Sequence, residues 1–230
     1  MFILCGNGYG QTDLRFQPTG KLVDAGGHRL HIYTTGKGNP TVIFENGSGD
    51  FSFIWSLVQP KVSEFAKTLS YDRAGFAWSE PGPSPRSFQQ ITLELHTALK
   101  NANISPPYIL VGQSFCGFLV RAFARYYPKE VAGMVLVDAL NEDSKIMMDQ
   151  KPVRLRDWAK GLPFSPPKVT KLHSGYAKKD WPITYPMIEP PMDRLPQPVQ
   201  EMQKWAQSDT VFQSTVNKEM TWSPEELAIM

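Results

Sequence analysis

The 230-residue chain carries a formal net charge of +2, with 41% apolar and 20% charged residues, the composition of a soluble globular protein large enough for one domain or one domain with an insertion. So small a charge gives no electrostatic basis for binding nucleic acid or an anionic membrane. The two cysteines, Cys5 and Cys116, make no disulfide framework, and no Cys/His cluster has zinc-ligand spacing. The apolar run Met1 to Cys5 is too short to span a bilayer or to form a complete signal peptide.

Residues 1–20 are Gly-rich and polar and read as an irregular lead-in. Lys21 to Ala25 and His28 to Thr34 alternate around Gly26-Gly27, a hairpin signal. After a turn at residues 36–40, Thr41 to Glu45 is an apolar, β-branched run, hence a buried strand that opens into the flexible loop Asn46-Gly47-Ser48-Gly49-Asp50. Ile54 to Lys67 reads as a helix with Trp55, Val58, Val62 and Phe65 inward, with Pro60 either bending it or falling near its start. Thr68 to Tyr71 is a short strand, residues 79–87 a Pro/Gly loop, and Phe88 to Asn103 a helix with Ile91, Leu95 and Leu99 on one face. Tyr108 to Gly112 is again strand-like. Beyond Ser114 the pattern turns helical, with Leu119, Val120, Phe123 and Ala124 at helical spacing, and Val131 to Val137 is a further apolar strand ending at Asp138.

The pattern changes over residues 141–230, which have no convincing buried-strand run and in which the stretch from Pro152 to Pro198 holds half of the 20 prolines. Short helices joined by Pro-rich loops are expected, with longer ones near Ser144 to Met148, Val153 to Lys160 and Val199 to Val216. Met and aromatic side chains adapt to irregular apolar surfaces, which suits a lid over a pocket; for any single residue, packing of that segment onto the sheet is the simpler explanation. Three parts follow: the lead-in, an α/β core over 21–140, and a helical cap over 141–230.

Strands alternating with helices imply a mostly parallel sheet covered on both faces, with ligands at the carboxyl ends of the strands. Asn46, Asp72, Ser114 and Asp138 all follow strand ends, so one rim collects the polar groups. At that rim Gly112-Gln113-Ser114-Phe115-Cys116-Gly117 has the context of a nucleophile elbow, a sharp strand-to-helix turn with Ser at the bend. The motif asks for Gly where Cys116 stands. Either Cys116 is a small residue that the bend tolerates, or it loosens helix-on-strand packing and misplaces Ser114. A side chain there points into the sheet, which argues against a thiol nucleophile.

Four segments in order resemble the α/β-hydrolase superfamily of serine hydrolases with a helical cap: residues 41–49, with Asn46 where His is usual; Tyr71 to Ser79, similar to Tyr-Asp-Arg-x-Gly-x-Gly-x-Ser with Ala77 for a Gly; the elbow, with Gln113 for the usual His; and Val131 to Ala139. The resemblance implies Ser114 as nucleophile and the backbone N–H groups of Phe115 and Ser48 as an oxyanion hole, with Asn46, Gly47, Gln113 and Cys116 beside the site. It also implies an acid and then a His, in that chain order. Asp138 stands where some relatives place the acid, and a polar strand-end cap is its other reading. His173 is the one histidine downstream of Ser114. His28 and His31 fall in the first hairpin, and His96 lies mid-helix and reads as structural.

In the family the His follows a last strand beyond the cap, and two further strands lie beside the one at Val131–Val137. The chain is therefore expected to stop short of the His-bearing segment, to be catalytically incomplete, and to offer an exposed strand near Val135 for self-association. The implied reaction is hydrolysis of a carboxylic ester or related small apolar acyl substrate through an acyl-enzyme, with no cofactor or metal. The alternative is a non-catalytic hydrolase-like protein that binds a ligand or partner, or a truncated product. A nucleotide-binding module is excluded, since no Gly-rich phosphate motif follows a strand at the required spacing.

Overall fold

The structure, a computed structural model, describes residues 16–148, 150–160 and 192–219. Six strands form one sheet: β1 (Lys21–Asp24), β2 (Arg29–Thr35), β3 (Thr41–Glu45), β4 (Lys67–Tyr71), β5 (Tyr108–Gln113) and β6 (Val131–Val137). Their spatial order is β1-β2-β4-β3-β5-β6. β1/β2 and β2/β4 are antiparallel, and β4/β3, β3/β5 and β5/β6 are parallel. The mostly parallel sheet with helices on both faces agrees with the sequence reading.

Period-2 alternation sorts the strand side chains between two faces. Ile43, Leu69 and Leu110 point to one face, where Leu95 and Leu99 of α2 (Phe88–Asn101) and Val120 and Phe123 of α3 (Cys116–Tyr126) cover them. Val42, Phe44 and Val111 point to the other face and meet Trp55. α2 starts where Ser87 accepts a hydrogen bond from Gln90 N at 3.1 Å, an N-cap that satisfies one of the orphan donors of the first turn.

Chain order fixes where a site can lie. The connection after β3 runs to β4 on one side, whereas the connection after β5 runs to β6 on the other. The carboxyl ends of β3 and β5, in register at Glu45 and Gly112, therefore form the crevice at which an open α/β sheet binds ligands.

Three expectations are corrected. Ile54 to Lys67 is not one helix: a 3-10 turn covers Ser52–Trp55, and α1 spans only Gln59–Val62, with Pro60 in its first turn. Pro60 lacks an N–H and cannot continue the ladder begun upstream, so the helix restarts around it. Val58 and Phe65, expected inward, are 42% and 79% exposed. Lys145–Met148 is not helical but forms β7, paired antiparallel with β8 (Lys151–Arg154), and Gln150 at φ +62 lies in the connection. Only Leu155–Lys160 (α4) is helical there. Finally, the helix expected over Val199 to Val216 is two, α5 (Gln197–Gln207) and α6 (Thr210–Glu219). Asp209 Oδ1 accepts from Val211 N at 2.9 Å and so starts the second helix where the first one ends.

α5 and α6 lie against the loops that follow β3 and β4. Ala206 and Phe212 share a buried cluster with Phe51, Phe76 and Ala77. Among the described residues no helix is long and apolar enough to cross a membrane.

Candidate active site

Ser114 sits at the bend between β5 and α3 with φ +51, a left-handed conformation that costs a non-glycine residue about 1 kcal/mol. The bend is held from outside. Ser114 N donates to Val137 O of β6 at 3.1 Å, and Ser114 O accepts from Gly117 N at 3.0 Å and Leu140 N at 2.8 Å. Gly112 has no alternative here, because a Cβ on it would lie 2.7 Å from Cys116 O and 2.8 Å from Val120 Cγ2. The absent side chain lets α3 fold back onto β5 and present Ser114, which is half-buried, at the rim.

The loop after β3 lies beside this bend. Asn46 Nδ2 donates to Tyr71 O at 2.7 Å. Gly47 to Asp50 forms a turn closed by Asp50 N to Gly47 O at 3.3 Å, with Gly49 at φ +72. Among the described residues the Ser48 N–H has no hydrogen-bond partner. Gln113 lies across Gly47, where an added Cβ would come within 2.3 Å of Gln113 Oε1. Burial raises the Asp50 carboxyl to about 6 against the opposing charge of Arg73.

Cys116 is neither loose nor merely tolerated. Its thiol is fully buried and donates to Asn46 O at 2.5 Å, while Arg73 Nη1 donates to its sulfur at 3.2 Å. The residue that departs from the elbow pattern thus ties the elbow to the β3 loop. Burial pushes its pKa well up, so it stays a thiol and is no nucleophile.

Beneath both loops lies a buried polar cluster that the sequence did not reveal. Arg73, 1% exposed, donates from Nη1 to Asn46 O at 2.5 Å, from Nη2 to Gly47 O at 3.0 Å, and from Nε to both carboxylate oxygens of Glu219 on α6 at 3.1 and 3.0 Å. Glu45 accepts from the Tyr71 hydroxyl and lies 3.9 Å from Arg73. Burial raises Glu45 from 4.5 to about 7, outweighing the Arg73 charge and the Tyr71 hydrogen bond. Between these two values the fold holds a proton that the unfolded chain has lost. Stability therefore falls as pH rises through this window, by on the order of 3 kcal/mol in total. Glu45→Gln keeps the acceptor and removes the titration, and is expected to flatten that slope in melting temperatures measured from pH 4.5 to 7.5. Asp50 contributes in the same direction, so part of the slope survives the substitution.

The other expected site residues are placed as follows. Asp138 directly follows β6 at φ +45, exposed, one residue beyond the carbonyl that holds Ser114. His173 lies outside the described residues. His96 is structural: it stacks on Tyr127 at 3.8 Å, and its Nε2 is 3.1 Å from Glu130 Oε1. His28 Nε2 lies 3.4 Å from Glu94. His31 belongs to the first hairpin, yet it is fully buried with Nδ1 2.9 Å from Asp72 Oδ2. That pair has the form of a base and its orienting acid, but Nε2 accepts from Gly20 N at 3.1 Å, so it is closed to substrate. Asp72 also accepts from Ser52 N at 2.8 Å, which makes the pair a brace for the β3 loop. Strand pairing of β2 with β4 brings His31 and Asp72 together, and no short-range sequence signal announces it.

Comparison with known proteins bears on the whole arrangement. A family description of the alpha/beta hydrolase fold matches residues 40–171. A probable transporter, efuK, from Hormonema carpetanum is 31% identical over 129 residues, 53% of this chain and 18% of that protein. A 2-hydroxy-6-oxo-2,4-heptadienoate hydrolase from Pseudomonas putida is 31% identical over 125 residues, 53% of this chain and 45% of the relative. The chain thus spans less than half the length of either relative. The solved structure of a mutant meta-cleavage product hydrolase, CumD, aligns with a TM-score of 0.60 at 19% identity, covering 91% of this chain and 71% of that one, a likeness of fold. With the elbow at the end of β5, the loop after β3 and a family match over more than half its length, the chain belongs to the α/β hydrolase fold family.

Proposed function

We propose that Ser114 is the nucleophile of a serine hydrolase acting on a carboxylic ester or related small acyl compound with an apolar acyl or alcohol group. The observation that carries this reading is the strained bend at Ser114 beside the Ser48 N–H that has no partner among the described residues. Ser114 Oγ attacks the carbonyl carbon as a base takes its proton. The N–H groups of Phe115 and Ser48 stabilise the oxyanion, and collapse expels the alcohol, which receives the proton from the base. Water then repeats the sequence on the acyl-enzyme and frees Ser114. Of the four histidines, His28, His31 and His96 are engaged elsewhere. Within this sequence His173, the histidine downstream of Ser114, is the candidate base and Asp138 the candidate acid that orients it. The α5 and α6 helices, packed over Phe51 and Phe76, are read as part of a cap over residues 141–230 that shapes an apolar substrate pocket on a core of residues 21–140.

Labelling with a fluorophosphonate, together with turnover of short-chain p-nitrophenyl esters, tests the reading. The chain is expected to label slowly on Ser114 and to turn over the esters at most weakly, and Ser114→Ala to leave it unlabelled. A folded chain that binds an apolar ester analogue yet neither labels nor turns over supports the second reading, a non-catalytic ligand-binding derivative. The engagement of the three described histidines favours that second reading. Including 2-hydroxy-6-oxo-2,4-heptadienoate in the panel asks whether the substrate named for the Pseudomonas putida relative is preferred to esters.

Self-association is proposed at β6, the last strand of the described sheet. Val135, Leu136 and Val137 are 49%, 53% and 39% exposed, and an apolar strand with a free edge is a template for pairing. A second copy of β6 is the proposed occupant. Light scattering from ~1 to ~100 µM is expected to show a mass that rises with concentration, and Val135→Lys to keep the chain monomeric. A monomer throughout that range would overturn the proposal.

A further inference from the structure

The Gly47 carbonyl and the Ser48 N–H belong to one peptide unit. That unit is planar and trans, so its C=O and N–H point in opposite directions and cannot be aimed independently. Arg73 Nη2 holds the carbonyl at 3.0 Å from the buried side, and Nη1 holds the preceding carbonyl, that of Asn46, at 2.5 Å. Two adjacent peptide units are thus pinned by one rigid guanidinium, a fork geometry that an ammonium cannot reproduce. The cation also polarises the Gly47–Ser48 peptide and makes its N–H a stronger donor, as hydrogen bonds in series do in a low-dielectric interior. Arg73 is held in turn from its other edge by Glu219 of α6, through Nε at 3.1 and 3.0 Å and Nη2 at 3.0 Å.

We propose that Arg73 is a positioning residue that aims and polarises the Ser48 N–H toward the oxyanion, and that Glu219 of α6 holds Arg73 in the orientation this requires. The inference rests on the reading of Ser48 as an oxyanion donor. It gives α6 a role at the reaction centre without contact with substrate.

Arg73→Lys keeps the charge and loses the fork, and Glu219→Gln keeps the shape and weakens the hold. Both are compared with the unsubstituted chain in ester kinetics, in affinity for an alkyl boronic acid whose tetrahedral adduct resembles the oxyanion, in the chemical shift of the Ser48 amide proton, and in melting temperature. Loss of a whole oxyanion-hole donor lowers kcat by about 100- to 1000-fold, so misaiming one in Arg73→Lys is expected to lower it ~10- to 100-fold, with KM changed less than ~3-fold and boronate affinity falling in step. Glu219→Gln is expected to do the same to a smaller degree, and the Ser48 amide proton to move upfield in both. A folded Arg73→Lys chain with wild-type kcat and an unmoved Ser48 amide overturns the proposal. Should Arg73→Lys fail to fold, the same outcome in Glu219→Gln overturns it. If the unsubstituted chain neither turns over nor binds the boronate while the Ser48 amide still responds to both substitutions, the nucleophile reading fails and the hold of Arg73 on this peptide stands.

Discussion

Ser114→Ala is expected to abolish fluorophosphonate labelling and all ester turnover that runs through the acyl-enzyme, since the covalent route loses its attacking atom and only binding and oxyanion stabilisation survive. Stability is expected to change little, because Ala at φ +51 carries the same backbone strain as Ser and the half-buried hydroxyl has no bonded partner among the described residues. Ser114→Gly separates the two properties. It loses the chemistry equally, yet it relieves a left-handed conformation worth about 1 kcal/mol and is expected to raise the unfolding free energy by about that amount. Urea denaturation of the three chains checks this. If the Ser114→Gly chain proves no more stable than the Ser114→Ala chain, the bend stores no strain.

Glu94→Ala is expected to cost the fold about 3–5 kcal/mol, the price of leaving a buried charge without its partner. Arg86 and Glu94 are each 2% exposed at the side chain and pair through two parallel hydrogen bonds, 2.5 Å from Nη1 and 2.9 Å from Nη2. Gln90 adds a third bond to the carboxylate at 2.9 Å. Without Glu94 the nearest carboxylate paired with Arg86 among the described residues is Glu219, at 3.9 Å. Arg86→Met combined with Glu94→Leu is expected to recover most of the loss, because a buried pair exchanged for apolar side chains is often neutral. The pH dependence runs opposite to that of Glu45. Burial would raise the Glu94 carboxyl, but the Arg86 charge and the hydrogen bonds outweigh it and hold it at about 2. Its contribution is fully present above 4.5, the ordinary value, and is lost as pH falls through about 2, on the order of 3 kcal/mol in total. A cost below about 1 kcal/mol for Glu94→Ala would show that Arg86 regains water through the adjoining cavity of about 300 Å³, which Arg86 and Lys218 line.

The parts of the fold set by local chemistry were legible in the sequence. β3, β5 and β6 announce themselves as apolar runs, α2 by its helical face and α3 by the pattern after the elbow. The Ile54 to Lys67 stretch has helical spacing, but a proline in the middle defeats periodicity, and Phe65 ends 79% exposed. Lys145–Met148 is four residues long, too short for either period to decide, and only its pairing with β8 makes it a strand. At the site, Ser114 and the β3 loop follow from a motif confined to consecutive residues. Arg73 was visible only as part of a resemblance, whereas its partners Asn46, Cys116 and Glu219 come from three other elements. Contacts between residues distant in sequence leave no periodic trace. For the same reason the His31–Asp72 brace has no sequence signal, and Cys116 reads as a blemish when it is a bonded part of the elbow.

The bond between Arg73 and Glu219 spans 146 residues, and this bears on the order in which the molecule assembles. The sheet lies between Lys21 and Val137, and each of its strand pairings joins residues much closer in sequence than Arg73 and Glu219, so each closes its loop at a smaller entropic cost. Arg73 is embedded in that sheet region, and part of its hydrogen bonding waits for the last turn of α6. Until then the guanidinium must keep its water, and the carbonyls of Asn46 and Gly47 have no dry, fixed cation to bind. On a ribosome, which releases the chain from its amino end, the scaffold is complete many residues before the loop it carries. The β3 loop, first of the site's segments to be made, is the last to take its working shape.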